Sequence, residues 1–186
     1  MKRSFDIFIG FLALSALSIP MLIIALLVKI SSRGPVLHWS DRVGYKNCIF
    51  KMPKFRTMKV NTPQMATHLL GSPQEYLTPL GSFLRKCSVD ELPQLWSILV
   101  GHMSFVGPRP ALFSQEDLIA LRTDFGIDKL VPGLTGWAQV NGRDNLSIEE
   151  KVRYELEYLK MQSFWFDLKI LTLTFFRVTK QTGIIH

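Results

Sequence analysis

A chain of 186 residues, 47% of them apolar and 20% charged, can build one core with an attached segment. A formal net charge of +7 calls for an anionic partner or surface: lipid headgroups, a nucleotide or nucleic acid. The two cysteines, Cys48 and Cys87, form no C-x-x-C and are too few for a disulfide framework, so they read as free thiols.

From Ile7 to Val28 there is no charged side chain. A helix of that length, roughly 22 residues, matches a ~30 Å hydrocarbon layer. Residues 1–30 therefore read as a membrane anchor, and residues 31–186 as one α+β unit on the aqueous side. A cleaved signal peptide fits poorly, because the apolar run is long and no small-x-small cleavage site precedes Lys29. A spanning helix and a re-entrant one remain. Lys2 and Arg3 before the run and Lys29, Arg33, Arg42 and Lys46 after it satisfy the positive-inside rule when both ends are cytoplasmic. Pro20, with Ser15 and Ser18 close by, predicts a bend at the midpoint.

Val36–Ser40 and Ile49–Phe55 predict a β-hairpin around the Asp41-Arg42-Val43-Gly44 turn. Residues 61–79 are polar, broken by proline and glycine, and read as a loop. Helices are expected over Glu91–Val100, ending at Gly101, and over Ser114–Phe125, with Glu116 and Asp117 in its first turn. Pro132–Asn145 is glycine-rich and irregular. Ser147–Lys160 opens with the S-x-x-E capping-box pattern of Ser147 and Glu150. The last helix, Phe164 to Arg177, sets aromatics beside Lys169, Arg177 and the following Lys180. That pattern suits either a membrane-surface helix or a core helix.

Absences narrow the chemistry. There is no phosphate-binding G-x-x-x-x-G-K-[ST], no G-x-G-x-x-G, no His/Cys metal spacing and no Asp-x-Asp pair. Candidate chemistry centres on Arg85-Lys86-Cys87-Ser88-Val89-Asp90-Glu91-Leu92-Pro93, where two adjacent carboxylates follow two cations. Ser88 with Glu91 suits a capping box, and Asp90 suits an N-cap. An ionised Asp90 near a divalent cation can also attack phosphorus as a covalent nucleophile. Arg109, between Pro108 and Pro110, is presented by a stiff loop suited to bidentate phosphate recognition; the same dipeptides also build plain surface turns. Lys54 and Arg56 are two apart and would share a strand face, for a ligand or as protection of a sheet edge. Pro132 to Arg143 joins three glycines to Trp137, Gln139, Asn141 and Arg143, as either a ligand loop or a connection.

The stretches K-F-R-T-M, S-x-D-E-x-P-Q-L, M-S-F-V-G-P-R-P and P-G-L-T-G-W-A-Q-V-N-G-R, in this order, resemble the bacterial sugar transferases, the monotopic phosphoglycosyl transferases. The likeness runs from Phe5-Asp6 to Asp167-Leu168-Lys169. It implies a re-entrant N-terminal helix broken at Ser18 and Pro20, a mostly helical cytosolic catalytic domain with a small β-hairpin, and interfacial amphipathic helices. The location it implies is the cytosolic face of the bacterial inner membrane, within the phospholipid layer. It also implies Mg2+ at Asp90 and Glu91, and transfer of a phospho-sugar from a UDP-sugar to undecaprenyl phosphate with release of UMP. In that reading Asp90 is the nucleophile and Glu91 its catalytic partner. Arg85 and Arg109 bind phosphate, Lys54 and Arg56 offset substrate charge, and Gln139, Asn141 and Arg143 contact the nucleotide. Nucleic acid is not an expected partner, and a homo-oligomer is left open.

The chain departs from the pattern in three ways: Ile19 separates Ser18 from Pro20, His102 stands where an acidic residue is usual, and the chain resembles a minimal catalytic core. The competing readings are a membrane-anchored glycosyltransferase releasing UDP and a basic membrane-tethered binding protein.

Overall fold

A computed structural model describes residues 2–62, 73–142 and 145–180; the side chains of 178–180 lie outside the description. Arg143 and most of the loop expected over 61–79 also fall outside it.

The apolar segment forms one helix, α1 (Lys2–Ser31), long and apolar enough to cross a membrane by length and composition. The break expected at Ser18 and Pro20 does not interrupt it. Pro20 removes a single rung of the hydrogen-bond ladder, while the Ser18 hydroxyl donates to the Ser15 carbonyl at 2.7 Å within the helix. Packing on both sides of the proline supports continuity. Leu17 and, before it, Ala13 and Leu14 pack against Phe50, Met52, Leu95, Ile98 and Met103. Met21, Ile24 and Ala25 pack against Phe55 and Leu84. Together with buried Asp6, Gly10 and Val28, these positions recur every three or four residues, so a single stripe of α1 lies along the rest of the chain. The opposite face, including Phe8, Phe11, Leu22 and Leu26, is apolar and exposed.

Both ends of α1 are held by the same body. At the start, Arg3 donates to the carbonyls of Ile98 (2.5 Å) and Leu99 (2.7 Å) in the last turn of α3 (Gln94–Val100). Asp6 accepts from the Phe105 amide at 3.3 Å, and Lys2 pairs with Asp167. Asp167 in turn accepts from the Tyr158 hydroxyl at 2.7 Å, and burial, followed by this hydrogen bond, pushes the Tyr158 phenol far above its ordinary pKa. At the far end, Arg56 donates to the carbonyls of Ser32 (2.9 Å) and Pro35 (2.6 Å).

The hairpin forms from β1 (Leu37–Val43) and β2 (Ile49–Phe55), antiparallel with Leu37 opposite Phe55. Its turn lies later than expected. Gly44 to Cys48 make it, with positive φ at Lys46 and Asn47, because Arg42 and Val43 stay in strand by pairing with β4 (Ala111–Leu112). Sheet order is β2-β1-β4, so Pro53 sits on an edge strand, where its missing donor is tolerated.

A second, parallel pair joins β3 (Ser104–Val106) to β5 (Gly133–Thr135). The glycine-rich stretch expected to be irregular thus contributes β5 and a short helix, α5 (Trp137–Asn141). Close approach explains Gly133: a Cβ there would stand 2.1 Å from the Gly107 nitrogen and 2.4 Å from the Thr135 oxygen. Gly133→Ala is expected to force the seam apart and lower stability by about 3 kcal/mol, read as a fall in thermal midpoint.

The helical half packs around Val106, Leu118, Ile127, Val152, Tyr158 and Ile170. It is built from α4 (Glu116–Asp124), α6 (Ile148–Met161) and α7 (Phe164–Lys180). Ser147 and Glu150 form the expected capping box at the start of α6. Arg122 of α4 donates twice to Glu155 of α6 in a buried bidentate pair. On α7, Trp165, Phe175 and Phe176 are exposed, and Phe164 meets Phe5 of α1 edge-on at 5.4 Å.

Candidate active site

The expected helix over Glu91–Val100 starts later, at Gln94, with Pro93 in the N-cap position. Neither proposed cap forms: Ser88 makes no side-chain cap bond, and Asp90 lies one turn too early. Instead α2 (Gly81–Lys86) ends, Ser88 takes the left-handed conformation (φ 54°), and Val89–Glu91 make a 3-10 turn. A serine in that region is strained. The kink turns both carboxylates away from helix capping, toward the hairpin and the Pro-Arg-Pro loop.

Glu91 is the electrostatic hub. Its Oε1 accepts from Lys54 Nζ at 2.7 Å and from Arg109 Nη2 at 3.0 Å. Burial alone would raise its pKa, but the charges and hydrogen bonds of Lys54 and Arg109 hold the carboxyl well below the usual range. Glu91 is therefore ionised at any physiological pH.

Asp90 differs. It is 7% exposed and accepts no hydrogen bond among the described residues. Burial pushes its pKa up; Lys54 opposes this, Glu91 adds to it, and Arg85 and Arg109 oppose it. Two adjacent carboxylates are thus driven apart in basicity, one fixed as an anion and the other more basic than a free aspartate. That is the division of labour an anchor and a nucleophile require.

Arg85, at the end of α2, donates to the Thr57 hydroxyl at 3.0 Å and feels the charge of Asp90. Arg109 is fixed by its loop: Gly107 N donates to Thr135 O at 2.9 Å and Gly133 N to Pro108 O at 2.8 Å. The parallel seam of β3 and β5 therefore places the guanidinium.

Asp90, Glu91, Lys54, Arg85 and Arg109 are brought together. Arg56 is not. Strand β2 ends at Phe55, so the shared face expected for Lys54 and Arg56 is lost, and Arg56 lies buried with its guanidinium on the carbonyls that follow α1. Asn141 donates to its own helix at Trp137 O, 2.7 Å. Both polar atoms of Gln139 are buried without a partner among the described residues, the oxygen beside Gly136. His102 packs its ring against Phe50 at 5.6 Å.

Two groups near the dyad were not singled out from the sequence as site residues. Arg42 and His38 lie on the face of β1 that carries Lys54 across the register. Burial lowers the pKa of His38, and the cations Lys54, Arg42 and Arg85 lower it further, keeping it neutral. The signal available was period-two spacing of His38, Ser40 and Arg42 opposite Lys54.

Carboxylates are hard oxygen donors, and magnesium needs one or two of them when phosphates and waters complete its shell. The dyad fits such an ion; no third Asp, Glu, His or Cys joins it among the described residues.

Residues 1–181 match the family model described as bacterial sugar transferase. The chain is 41% identical over 184 residues to the UDP-glucose:undecaprenyl-phosphate glucose-1-phosphate transferase of Escherichia coli K12, covering 95% of this chain and 40% of that protein. It is 38% identical to the undecaprenyl-phosphate glucose phosphotransferase of Komagataeibacter xylinus, covering 93% and 35%. It is also 38% identical to the exopolysaccharide production protein ExoY of Sinorhizobium fredii, covering 93% and 83%. The chain spans only about two fifths of the length of the first of these relatives. With the four stretches in order and the match running almost end to end, the chain belongs to the bacterial sugar transferase family.

Proposed function

We propose that this protein transfers a phospho-sugar from a UDP-sugar to undecaprenyl phosphate, releasing UMP, as the first membrane step in making a glycoconjugate such as an exopolysaccharide or capsule. The observation that carries this is the split dyad: a buried Asp90, more basic than a free aspartate, beside an ionised Glu91 that positions Lys54 and Arg109.

In the first step an Asp90 carboxylate oxygen attacks the phosphorus bearing the sugar. The bond from that phosphorus to the UMP oxygen breaks, UMP leaves with the electron pair, and an aspartyl phospho-sugar remains. In the second step an oxygen of the lipid phosphate attacks the same phosphorus. The Asp90–phosphorus bond breaks, yielding the diphosphate-linked lipid and restoring the carboxylate. Arg85, Arg109 and Lys54 balance the negative charge that either phosphate brings near Asp90. A site that takes its substrates in turn never has to hold the donor diphosphate and the lipid phosphate together. Mg2+ held by Asp90 and Glu91 would supply charge neutralisation at the phosphates.

The lipid substrate places the reaction at headgroup depth, on the cytosolic face of the inner membrane. Both ends of α1 are tied to one body, so a helix crossing the bilayer would have to tear one end free. This supports a reading in which both ends of α1 stay on the cytosolic face, with the exposed apolar side of α1 and the aromatics of α7 in lipid.

Incubating the protein in nanodiscs with undecaprenyl phosphate, magnesium and a panel of UDP-sugars tests the reading. Lipid-dependent UMP release with one or a few sugars is expected. UDP release would mean transfer of the sugar alone and overturn the proposal.

A further inference from the structure

Arg42 has no part in the chemistry just described. Its Nε donates to Ser40 Oγ at 3.0 Å and its Nη1 to the Pro110 carbonyl at 3.3 Å. Both acceptors are neutral, and no ion pair forms at Arg42 among the described residues. Its charge is largely withdrawn from water, and the charge it meets first is another cation, Arg109; burial and then Arg109 pull its pKa down to about 10, with Glu91 opposing.

Withdrawing a guanidinium from water is unfavourable unless a counter-charge meets it. The nearby anion, Glu91, is already shared by Lys54 and Arg109 through one oxygen. Around Arg42 itself the charges are Arg109 and Glu91, while His38 stays neutral. Arg42 is also fixed in place: β1 pairs on both sides, Arg42 with Phe50 on β2 and with Leu112 on β4. The Pro110 carbonyl that it holds belongs to the loop presenting Arg109. A rigid, planar guanidinium that meets only neutral acceptors among the described residues, beside a second guanidinium, is the arrangement that recognises a phosphate oxyanion.

We propose that Arg42 is a further phosphate-binding residue of this site, acting with Arg109 on a second oxyanion beside the phosphorus that Asp90 attacks. The proposal rests on the phospho-sugar transfer reading for the identity of its ligand. The second oxyanion is either the nucleotide-side phosphate of the donor or the phosphate of the lipid acceptor.

Two measurements on the full chain in nanodiscs test this, using R42Q, R42K and the control K51Q, whose side chain is 69% exposed. The first is calorimetric binding of inorganic pyrophosphate at fixed ionic strength. R42Q is expected to weaken it about tenfold, the worth of one charge-assisted bidentate contact, with R42K closer to wild type and K51Q unchanged. The second is steady-state kinetics. A rise in KM for the UDP-sugar assigns the oxyanion to the donor, and a rise for undecaprenyl phosphate assigns it to the acceptor.

Unchanged pyrophosphate affinity in R42Q overturns the proposal. So does an equal loss of kcat and thermal midpoint in R42Q and R42K with no change in either KM, which would mark a purely structural residue. If R42Q loses pyrophosphate while wild type turns over no UDP-sugar, the phosphate site stands and the donor reading falls.

Discussion

Asp90→Asn is expected to lower turnover by at least about a thousandfold while leaving a folded protein. An amide has no anionic oxygen with which to attack phosphorus, and the residues around the nucleophile cannot replace it. The structure adds a prediction about stability. The folded state raises the pKa of Asp90 above its unfolded value, chiefly by burial. Below the unfolded pKa this group is neutral in both states. Between the two pKa values the folded state binds the extra proton, so stability falls as pH rises through that window. At neutral pH the ionised Asp90 therefore opposes folding, and Asn relieves the penalty. The variant should show an equal or higher thermal midpoint together with absent UMP release. The same raised pKa predicts that wild-type kcat/KM for the donor is lost on acidification at a higher pH than an unperturbed aspartate would give. A profile limited by a carboxyl more acidic than a free aspartate would contradict the assignment.

Glu91→Gln should act in the opposite sense on stability. Glu91 has a depressed folded pKa, so its contribution is present above the unfolded value and lost as pH falls through the folded one. Removing the charge takes from Lys54, with a side chain 17% exposed, and from Arg109 the carboxylate oxygen they share. Arg109 is 38% exposed and solvent can compensate it, so the loss is set below that of a fully buried pair, at about 2–3 kcal/mol. For a domain of this size that is a fall of roughly 5–10 °C in thermal midpoint. Activity should fall as well, because Arg109 and Lys54 lose their common tether. Neighbouring carboxylates with opposite effects on stability would be hard to explain by capping, which predicts loss at both.

Local signals were legible where the cause is local. The Ser147–Glu150 box needs only four residues, and it forms as the pattern says. The hairpin strands were legible from alternation, but the turn was not. Arg42 and Val43 are kept extended by β4, nearly seventy residues away, and the reversal moves to Lys46 and Asn47. Strand β5 was hidden for the same reason: three residues around Gly133 are strand only because β3 accepts them at van der Waals distance. The position of α1 was the least legible feature. Its apolar run reads as lipid-facing all round, whereas one stripe belongs to the protein core, and no composition count separates the two faces.

At the site, the motif residues Asp90, Glu91, Arg85 and Arg109 converge, and Lys54 joins them. Arg56 shows the limit of spacing arguments. Two positions along a strand share a face only while the strand lasts, and β2 stops one residue short. Arg42 shows the converse. It looked like a flanking charge after an apolar segment, yet the hairpin register carries it to the dyad.

The most direct test of the covalent account is intact-protein mass spectrometry of the wild type after incubation with its UDP-sugar and magnesium in the absence of lipid acceptor. The account predicts the added mass of one sugar phosphate, mapped to Asp90, with one equivalent of UMP released and the adduct discharged on addition of undecaprenyl phosphate. A protein that forms lipid-linked product yet never carries the adduct, even with rapid quenching, would contradict it and point to direct transfer between the two substrates.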